Sequence, residues 1–516
     1  NAMYDVCFIR AAGLKINGTI VDTMIAGSLV DENRFRYDLG SMGRDYLGKG
    51  KNEAILAETA KEWGIDPKSE MYKLPAMYVG EYAERDAEIT LELWQQMKQE
   101  IQHQDIESIF DLETELFPCL VDMRFLGVRV DVEAANQLKQ KLLAEEKECL
   151  QKVKKETSVD IQIWAARSIA QVFEKLRLPF DRTEKTNSPS FTKNFLKNHP
   201  HPIVKHIARA REINKAHTTF IDTILKHEHK GRIHAEINQL RSDQGGTVTG
   251  RFSYNNPNLQ QIPARNKELG PMIRSLFIPE EGCKWGVFDY SQQEPRLVVH
   301  YAALQNLYGV DDVLDAYQEG DADFHRIVAE MADIPREQAK TINLGLFYGM
   351  GKNKLQAELG VNKERADGLF KQYHSRVPFV KQLMDNVMQR AQGRGRIRTL
   401  LGRLCRFHLW EPNQFGIHKP LPHDAALAEH GPGIRRAFTY KALNRLIQGS
   451  AADMTKKAMI ELHKEGITPH IQVHDELDIS VDNNADKIKE IMESAVDLEV
   501  PNKVDYESGP NWGTIK

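Results

Sequence analysis

A multidomain α+β fold is predicted for this 516-residue chain, and three features predict it. The length exceeds what one hydrophobic core normally serves, so several domains are expected. Short apolar alternations, the signature of strands, stand far apart at 231–240, 284–290 and 470–481. Between the last two lies a stretch, 311–392, whose apolar residues recur with helical spacing. Strands so widely separated are expected to meet in one sheet, with the helical block inserted as a domain of its own.

Taken in order, residues 1–100 mix apolar runs and helical patterns, as in an α/β or α+β unit. From Ile106 the pattern is helical and closes on Gly127, a helix stop. Residues 131–157 read as one long helix of mixed charge with a narrow apolar stripe. Residues 181–202, rich in Thr, Ser, Asn and Pro, read as a loop, and 201–225 return as helix with Lys and Arg on the open face. The whole of 131–225 is thus expected to be an antiparallel helical projection. "GRIHAEINQL" (231–240) and "KWGVFDYS" (284–291) read as strands. A helix at about 441–465 and a strand pair around "HIQVHDELDIS" (470–480) close the chain.

Composition narrows the function classes. At 41% apolar and 28% charged residues the chain is ordinary for a globular protein. No apolar run approaches the roughly 18 residues that span a membrane, and no signal peptide is read at the N-terminus. Cys7, Cys119, Cys149, Cys283 and Cys405 lie far apart without a C-x-x-C pair. That argues against a zinc site or disulfide framework and suits a reducing cytoplasm. A net charge of −4 does not advertise a nucleic-acid binder. Two acid-free basic runs, 393–406 and 434–445, point the other way.

The chemistry concentrates where strands carry acids. His474, Asp475 and Glu476 interrupt an otherwise apolar hairpin, and an unpaired ionised carboxylate is expensive to bury. Asp289 follows the apolar Val287 and Phe288 at a strand end. Alone it reads more readily as a helix N-cap than as a catalyst. Brought beside Asp475 and Glu476 it would form a hard-oxygen site suited to Mg²⁺. Two such cations about 3.5–4 Å apart are a clamp for in-line attack at phosphorus. Arg336, Lys340, Leu344 and Tyr348 recur every four residues after Pro335, so neighbours in that series share a helix face. A guanidinium, an ammonium, an aliphatic platform and a phenol would suit a nucleoside triphosphate; the same spacing also fits a plain amphipathic helix.

At these residues the chain resembles family A DNA polymerases, the group of bacterial DNA polymerase I and many phage replicative enzymes. "DYSQQEPR" (289–296), "REQAKTINLGLFYG" (336–349) and "QVHDEL" (472–477) resemble its three polymerase motifs. "TGRFSYNNPNLQQIPARN" (249–266), "NRLIQGSAADMTKKAM" (444–459) and "GPNWG" (509–513) resemble further segments in the family's order. The resemblance implies a right-hand polymerase of thumb, palm and fingers. Boundaries follow as thumb and lead-in helices 106–248, first palm part 249–305, fingers 306–440 and second palm part 441–516.

The resemblance also implies roles. Asp289, Asp475 and the Tyr290 backbone would ligate two Mg²⁺, with Mn²⁺ able to substitute, and Glu476 would be an accessory acid. Arg336, Lys340 and His325 would grip the triphosphate, Lys340 also protonating pyrophosphate. Leu344, Tyr348, Glu294 and Gln292 would complete the nucleotide site, Glu294 excluding a 2′-OH. Arg251, Asn444, Gln448 and His474 would contact primer or template. The implied partners are primer-template DNA, dNTPs and a replisome or processivity factor. The enzyme would work as a monomer in a bacterial or phage-infected cytoplasm. Three positions depart from the family pattern: Leu344 replaces the usual aromatic, Pro295 a usual aliphatic, and Gln261 a common Asn.

The first hundred residues resemble part of a DnaQ-like 3′–5′ exonuclease, whose ribonuclease H-like domain would occupy 1–105. "NAMYD" (1–5) fits N-x-x-x-D with Asp5 as ligand; Asn-Ala-Met is also a common cloning scar. "YAERD" (82–86) fits Y-x-x-x-D with Tyr82 and Asp86. The family's first motif, D-x-E, does not occur ahead of Asp5, so weak or absent proofreading is expected. The readings to be separated are a template-directed DNA polymerase, an exonuclease, and a DNA-binding protein with an inactive polymerase fold. A single-subunit RNA polymerase is disfavoured by Glu294.

Overall fold

A computed structural model describes residues 1–516 apart from 52, 244, 265, 321, 348–351, 415, 417 and 516, and apart from the side chains of 346, 352, 353 and 355. Tyr348 therefore lies outside the described residues.

The N-terminal unit packs Thr23–Val30, Leu39–Leu47 and Ala54–Glu62 around the long helix Ala76–His103, while Ala2–Ala11 packs on Glu107–Leu126. Asp22 and Asp38 cap two of these helices, accepting from the backbone nitrogens of Met24 and Ser41. Among the described residues 1–105 no strand occurs, where an α/β alternation was expected. The apolar run 24–30 is the reason. Nearly every residue of Thr23–Val30 is buried, so the helix shows no polar face, and a fully buried helix cannot be told from a strand by periodicity.

Helix Glu107–Leu126 ends at Gly127 as expected. Gly127 has φ +63°, and a Cβ there would come within 2.8 Å of the His234 ring and the Ile233 carbonyl. The projection is built on Val132–Thr157 packed against Pro202–Lys215. Its tip has its own core, including Val153, Phe173, Phe191, Leu196 and Ile207. The segment read as a loop holds the strand pair Asp181–Arg182 with Pro189–Ser190 and the helix Lys193–Asn198.

One four-stranded antiparallel sheet organises the rest. Its order is Ile471–Val473, Glu476–Val481, Lys284–Tyr290, Val504–Gly509. Trp285 and Phe288 are fully buried, and Tyr290 is nearly so, which seats Lys284–Tyr290 in the middle. The expectation that 231–240 joins this sheet is corrected. Arg232–Ile233 pairs with Val128–Arg129 and Glu228–His229, and Glu236–Asn238 pairs with Ser253–Asn255. The free edge of Lys284–Tyr290 is taken instead by Val504–Gly509, whose mostly exposed residues show no apolar alternation.

The helical block runs from Asp311–Glu319 to Pro378–Arg394 and is inserted between the sheet's strands as expected. After it come the hairpin Arg396–Arg398/Leu404–Arg406 and a small sheet of Leu409–Pro412, Leu421–Pro422 and Ile434–Arg436. Helix Ala442–Lys464 is buried along much of its length and packs on Glu107–Leu126, Gln293–Leu304 and Pro378–Arg394. No helix among the described residues is long and apolar enough to cross a membrane.

Candidate active site

The sheet brings the predicted acids together. His474 and Asp475 form the two-residue turn between Val473 and Glu476, which pair with each other. His474 has φ +60°, the left-handed conformation such hairpin turns need at their first central position and one that a non-glycine residue adopts only under strain. The ionisable triplet therefore occupies a hairpin tip, where carboxylates can face a ligand. Across the ladder Glu476 lies opposite Asp289, and the Tyr290 nitrogen donates to the Asp475 carbonyl at 3.2 Å. On the other edge Asp505 also lies opposite Asp289. Directly opposed residues point to one face of a sheet, so Glu476, Asp289 and Asp505 make a cross-strand row of three carboxylates.

The row is electrostatically unsettled. Burial, reinforced by the charges of Asp475, Glu476 and Asp505, pushes the Asp289 carboxyl up to about 8. Burial raises Asp475, with Glu294 adding to it and His474 and Arg251 opposing. Burial also raises Glu476, opposed by Arg274. Asp289 Oδ1 and Glu476 Oε1 are buried without a hydrogen-bond partner. Orphaned hard oxygens whose negative charge is resisted by their surroundings fit a divalent cation. Among the described residues no three His, Cys, Asp or Glu side chains close into a ready-made cage; the donor set is an open row. Tyr290 can reach it only through its main chain, because its hydroxyl donates to the Met492 carbonyl at 2.6 Å.

Beside the acids, Arg251 donates to Glu294 at 2.5 Å. Asn444 and Gln448 lie one turn apart on Ala442–Lys464, both half-buried. His474 is exposed at the tip. Gln472, two residues before it, accepts from Gln260 through both its carbonyls at 3.2 Å, tying the hairpin to the 249–266 segment.

The cationic helix Arg336–Phe347 packs on Phe324–Ala332. Arg336 donates to Asp323 at 2.8 Å while Asp323 caps the neighbouring helix through the nitrogens of His325 and Arg326. Lys340 is exposed and Leu344 half-buried. His325 is buried, and its Nδ1 meets the Asn343 side-chain nitrogen at 3.0 Å. Burial, with Arg336 and Lys340 pushing the same way, lowers His325 to about 4. The Gln292 amide is committed at both ends. Its nitrogen donates to Ala322 O at 2.9 Å, and its oxygen accepts from Phe324 N at 2.8 Å. Its side chain thus pins the sheet to the helical block.

Asp5, Tyr82 and Asp86 line one open cavity of about 910 Å³ in the N-terminal unit. Lys51, which the motifs did not flag, donates to Asp86 at 2.7 Å and to Tyr82 at 3.2 Å. Its only signal in the sequence is the loop "GKGK" (48–51). Asp505 was missed too, because an exposed edge strand carries no alternation.

Residues 132–514 match the profile of DNA polymerase family A, and residues 1–102 match that of a 3′-5′ exonuclease. The chain belongs to DNA polymerase family A. The polymerase is 35% identical to a DNA-directed DNA polymerase of Pseudomonas phage M6, with 99% of this chain and 82% of the relative covered. It is 30% identical to DNA polymerase DpoZ of Acinetobacter phage SH-Ab 15497, with 99% and 87% covered. A solved structure, the POL domain of Pol1 from M. smegmatis in complex with DNA primer-template and dNTP, superposes with a TM-score of 0.78. That match has 25% identity and covers 99% of this chain and 85% of the other. The polymerase is thus a DNA-directed enzyme with a right-hand fold, preceded by an exonuclease domain. Family A polymerases use divalent metal ions as a rule.

Proposed function

We propose that this polymerase extends a primer 3′-OH with dNTPs on a DNA template, as a phage replicative enzyme, with Asp289 and Asp475 holding two Mg²⁺ ions. The Tyr290 main chain would complete the ligand set and Glu476 would tune it; Mn²⁺ would substitute. Bound there, the ions would lower the pKa of the primer hydroxyl and neutralise the leaving pyrophosphate. The cross-strand acids with orphaned oxygens support this reading most directly.

The chain's own residues do the remaining work. Arg336 and Lys340, on one helix face, neutralise the triphosphate, and Lys340 Nζ supplies a proton to the departing pyrophosphate. His325 stays neutral and offers its ring to a phosphate oxygen. Leu344 gives an apolar platform for base and sugar. Glu294, fixed by Arg251, closes the space a 2′-OH would need. Asn444, Gln448, Arg251 and His474 contact primer and template, and the projection at 131–225 holds duplex by its phosphates. Residues 106–248, 249–305, 306–440 and 441–516 would be the thumb with its lead-in, first palm part, fingers and second palm part.

Primer extension with dNTPs and with NTPs tests the reading. Wild type should extend with dNTPs only, and Asp475→Asn should lose on the order of 10³-fold in rate. Extension by Asp475→Asn at the wild-type rate would overturn it.

A further inference from the structure

Behind the active site lies a buried ionic knot that none of the roles above uses. Arg403, Glu113, Asp453 and Lys456 are at most 3% exposed. Arg403 Nε donates to Asp453 at 2.8 Å, and its terminal nitrogen bonds Glu113. Lys456 donates to both oxygens of Glu113, at 2.7 and 3.0 Å, and to the Gln239 carbonyl at 2.9 Å. Thr399 donates to the second Asp453 oxygen at 2.6 Å and accepts from the Arg403 nitrogen at 2.9 Å. Two cations thus balance two carboxylates. They come from the helix Glu107–Leu126, the hairpin Arg396–Arg398/Leu404–Arg406 and the helix Ala442–Lys464.

A buried ion cluster is a poor source of stability, because desolvation consumes most of the Coulomb gain. What it provides is a fixed geometry, and one contact shows for what. Gly250 has φ +84°, and a Cβ built on it would fall 2.6 Å from both Cζ and Nε of Arg403. The guanidinium therefore lies hard against the Gly250 backbone, held there by both carboxylates. The next residue is Arg251, whose side chain holds Glu294 at 2.5 Å and whose carbonyl accepts from Thr247 at 2.9 Å. On the same knot, Thr399 Cγ2 lies 2.7 Å from where a Cβ on Gly449 would stand, directly after Gln448.

We infer that Arg403 is a positioning residue of the polymerase reaction: its locked guanidinium is the floor under the Gly250 peptide and sets where Arg251 holds Glu294 beside the incoming nucleotide. The inference rests on the nucleotide site proposed above, with Glu294 at the sugar.

Single-turnover incorporation by the full chain tests it, with Arg403→Lys, Gly250→Ala and Glu294→Gln measured for a dNTP and the matching rNTP beside melting curves. Arg403→Lys keeps the charge balance and loses the flat floor. It should fold but melt below wild type, raise the apparent Kd for dNTP about tenfold and lower dNTP/rNTP selectivity about tenfold. Gly250→Ala should reproduce both shifts with Arg403 in place. Wild-type Kd and selectivity in a folded Arg403→Lys would overturn the inference, as would an equal loss of rate for every substrate with Kd unchanged. Should Arg403→Lys fail to fold, Gly250→Ala decides by the same criteria; should that also fail to fold, the knot is structural and the inference is overturned. If Glu294→Gln leaves selectivity intact, the reading of Glu294 as sugar gate fails, while a raised dNTP Kd in Arg403→Lys still stands for positioning.

Discussion

Asp289 stands directly opposite Glu476 in the register of two antiparallel strands, and neither Asp289 Oδ1 nor Glu476 Oε1 has a hydrogen-bond partner. Such a pair is held together by the ladder against its own repulsion. Above about pH 8, where the Asp289 carboxyl is ionised, Asp289→Asn removes one charge from the row without changing its shape. The expected outcome is a melting temperature a few degrees above wild type in metal-free buffer, with primer extension reduced on the order of 10³-fold. Differential scanning calorimetry and a gel-based extension assay check both halves.

Arg336 is exposed, its guanidinium bonded to Asp323 and lying 3.5 Å from Glu337, so it is available to a triphosphate at little structural cost. Arg336→Ala removes a charge-assisted contact worth roughly 1.5–3 kcal/mol, or about 10- to 100-fold. The KM for dNTP should rise by that factor while melting stays within about a degree. Steady-state titration of one dNTP on a defined template measures it.

His325 and His470 are buried, and burial lowers each to about 4 from an ordinary value near 6.5. The unfolded chain therefore binds more protons than the folded one between about pH 4 and 6.5. Stability should be fully present above about pH 6.5 and decline as pH falls toward 4, by up to about 3 kcal/mol for each ring. Urea titrations across that window check the slope, and His470→Asn should flatten part of it.

By the resemblance of its motif, Leu344 is proposed to take the place of a nucleotide-facing aromatic ring, in four-residue register with Arg336 and Lys340. A leucine keeps apolar contact and loses the flat surface. Leu344→Phe should speed single-turnover incorporation or sharpen base selection; identical rates and selectivity in the two proteins would show that the ring is not needed here.

In the N-terminal cavity the Lys51 ammonium already neutralises Asp86 at 2.7 Å. A cation bound at the unpartnered Asp86 Oδ1 would stand against that ammonium. Little release of 3′-terminal nucleotides is expected from this chain, and a 5′-labelled single strand incubated with Mg²⁺ would reveal any.

The acidic hairpin, the cationic helix and the central strand were legible because local chemistry announces them: charge inside an apolar run, or a four-residue repeat. What escaped lacks a local signal. Asp505 is on an exposed edge strand, and only pairing with Lys284–Tyr290 makes it a neighbour of Asp289. Glu113 and Lys456 meet across 343 positions, and nothing in either helix records the other. The run 231–240 reads as a strand, yet it splits between two small sheets, because which edge a strand joins is decided by its partners. Gln292 reads as a nucleotide contact by its place in a motif, whereas its amide is occupied by Ala322 and Phe324.

The strand bearing Asp289 is laddered on both edges. A shift of one position along either neighbour would swing alternate side chains to the opposite face, so the acid cannot drift by small degrees. Catalysis should consequently vanish as a step when heat or denaturant loosens the sheet, leaving no slow, half-competent species. Residual turnover would then count intact molecules, and amide protection of Phe288 and Leu477 should fade on the same denaturant scale.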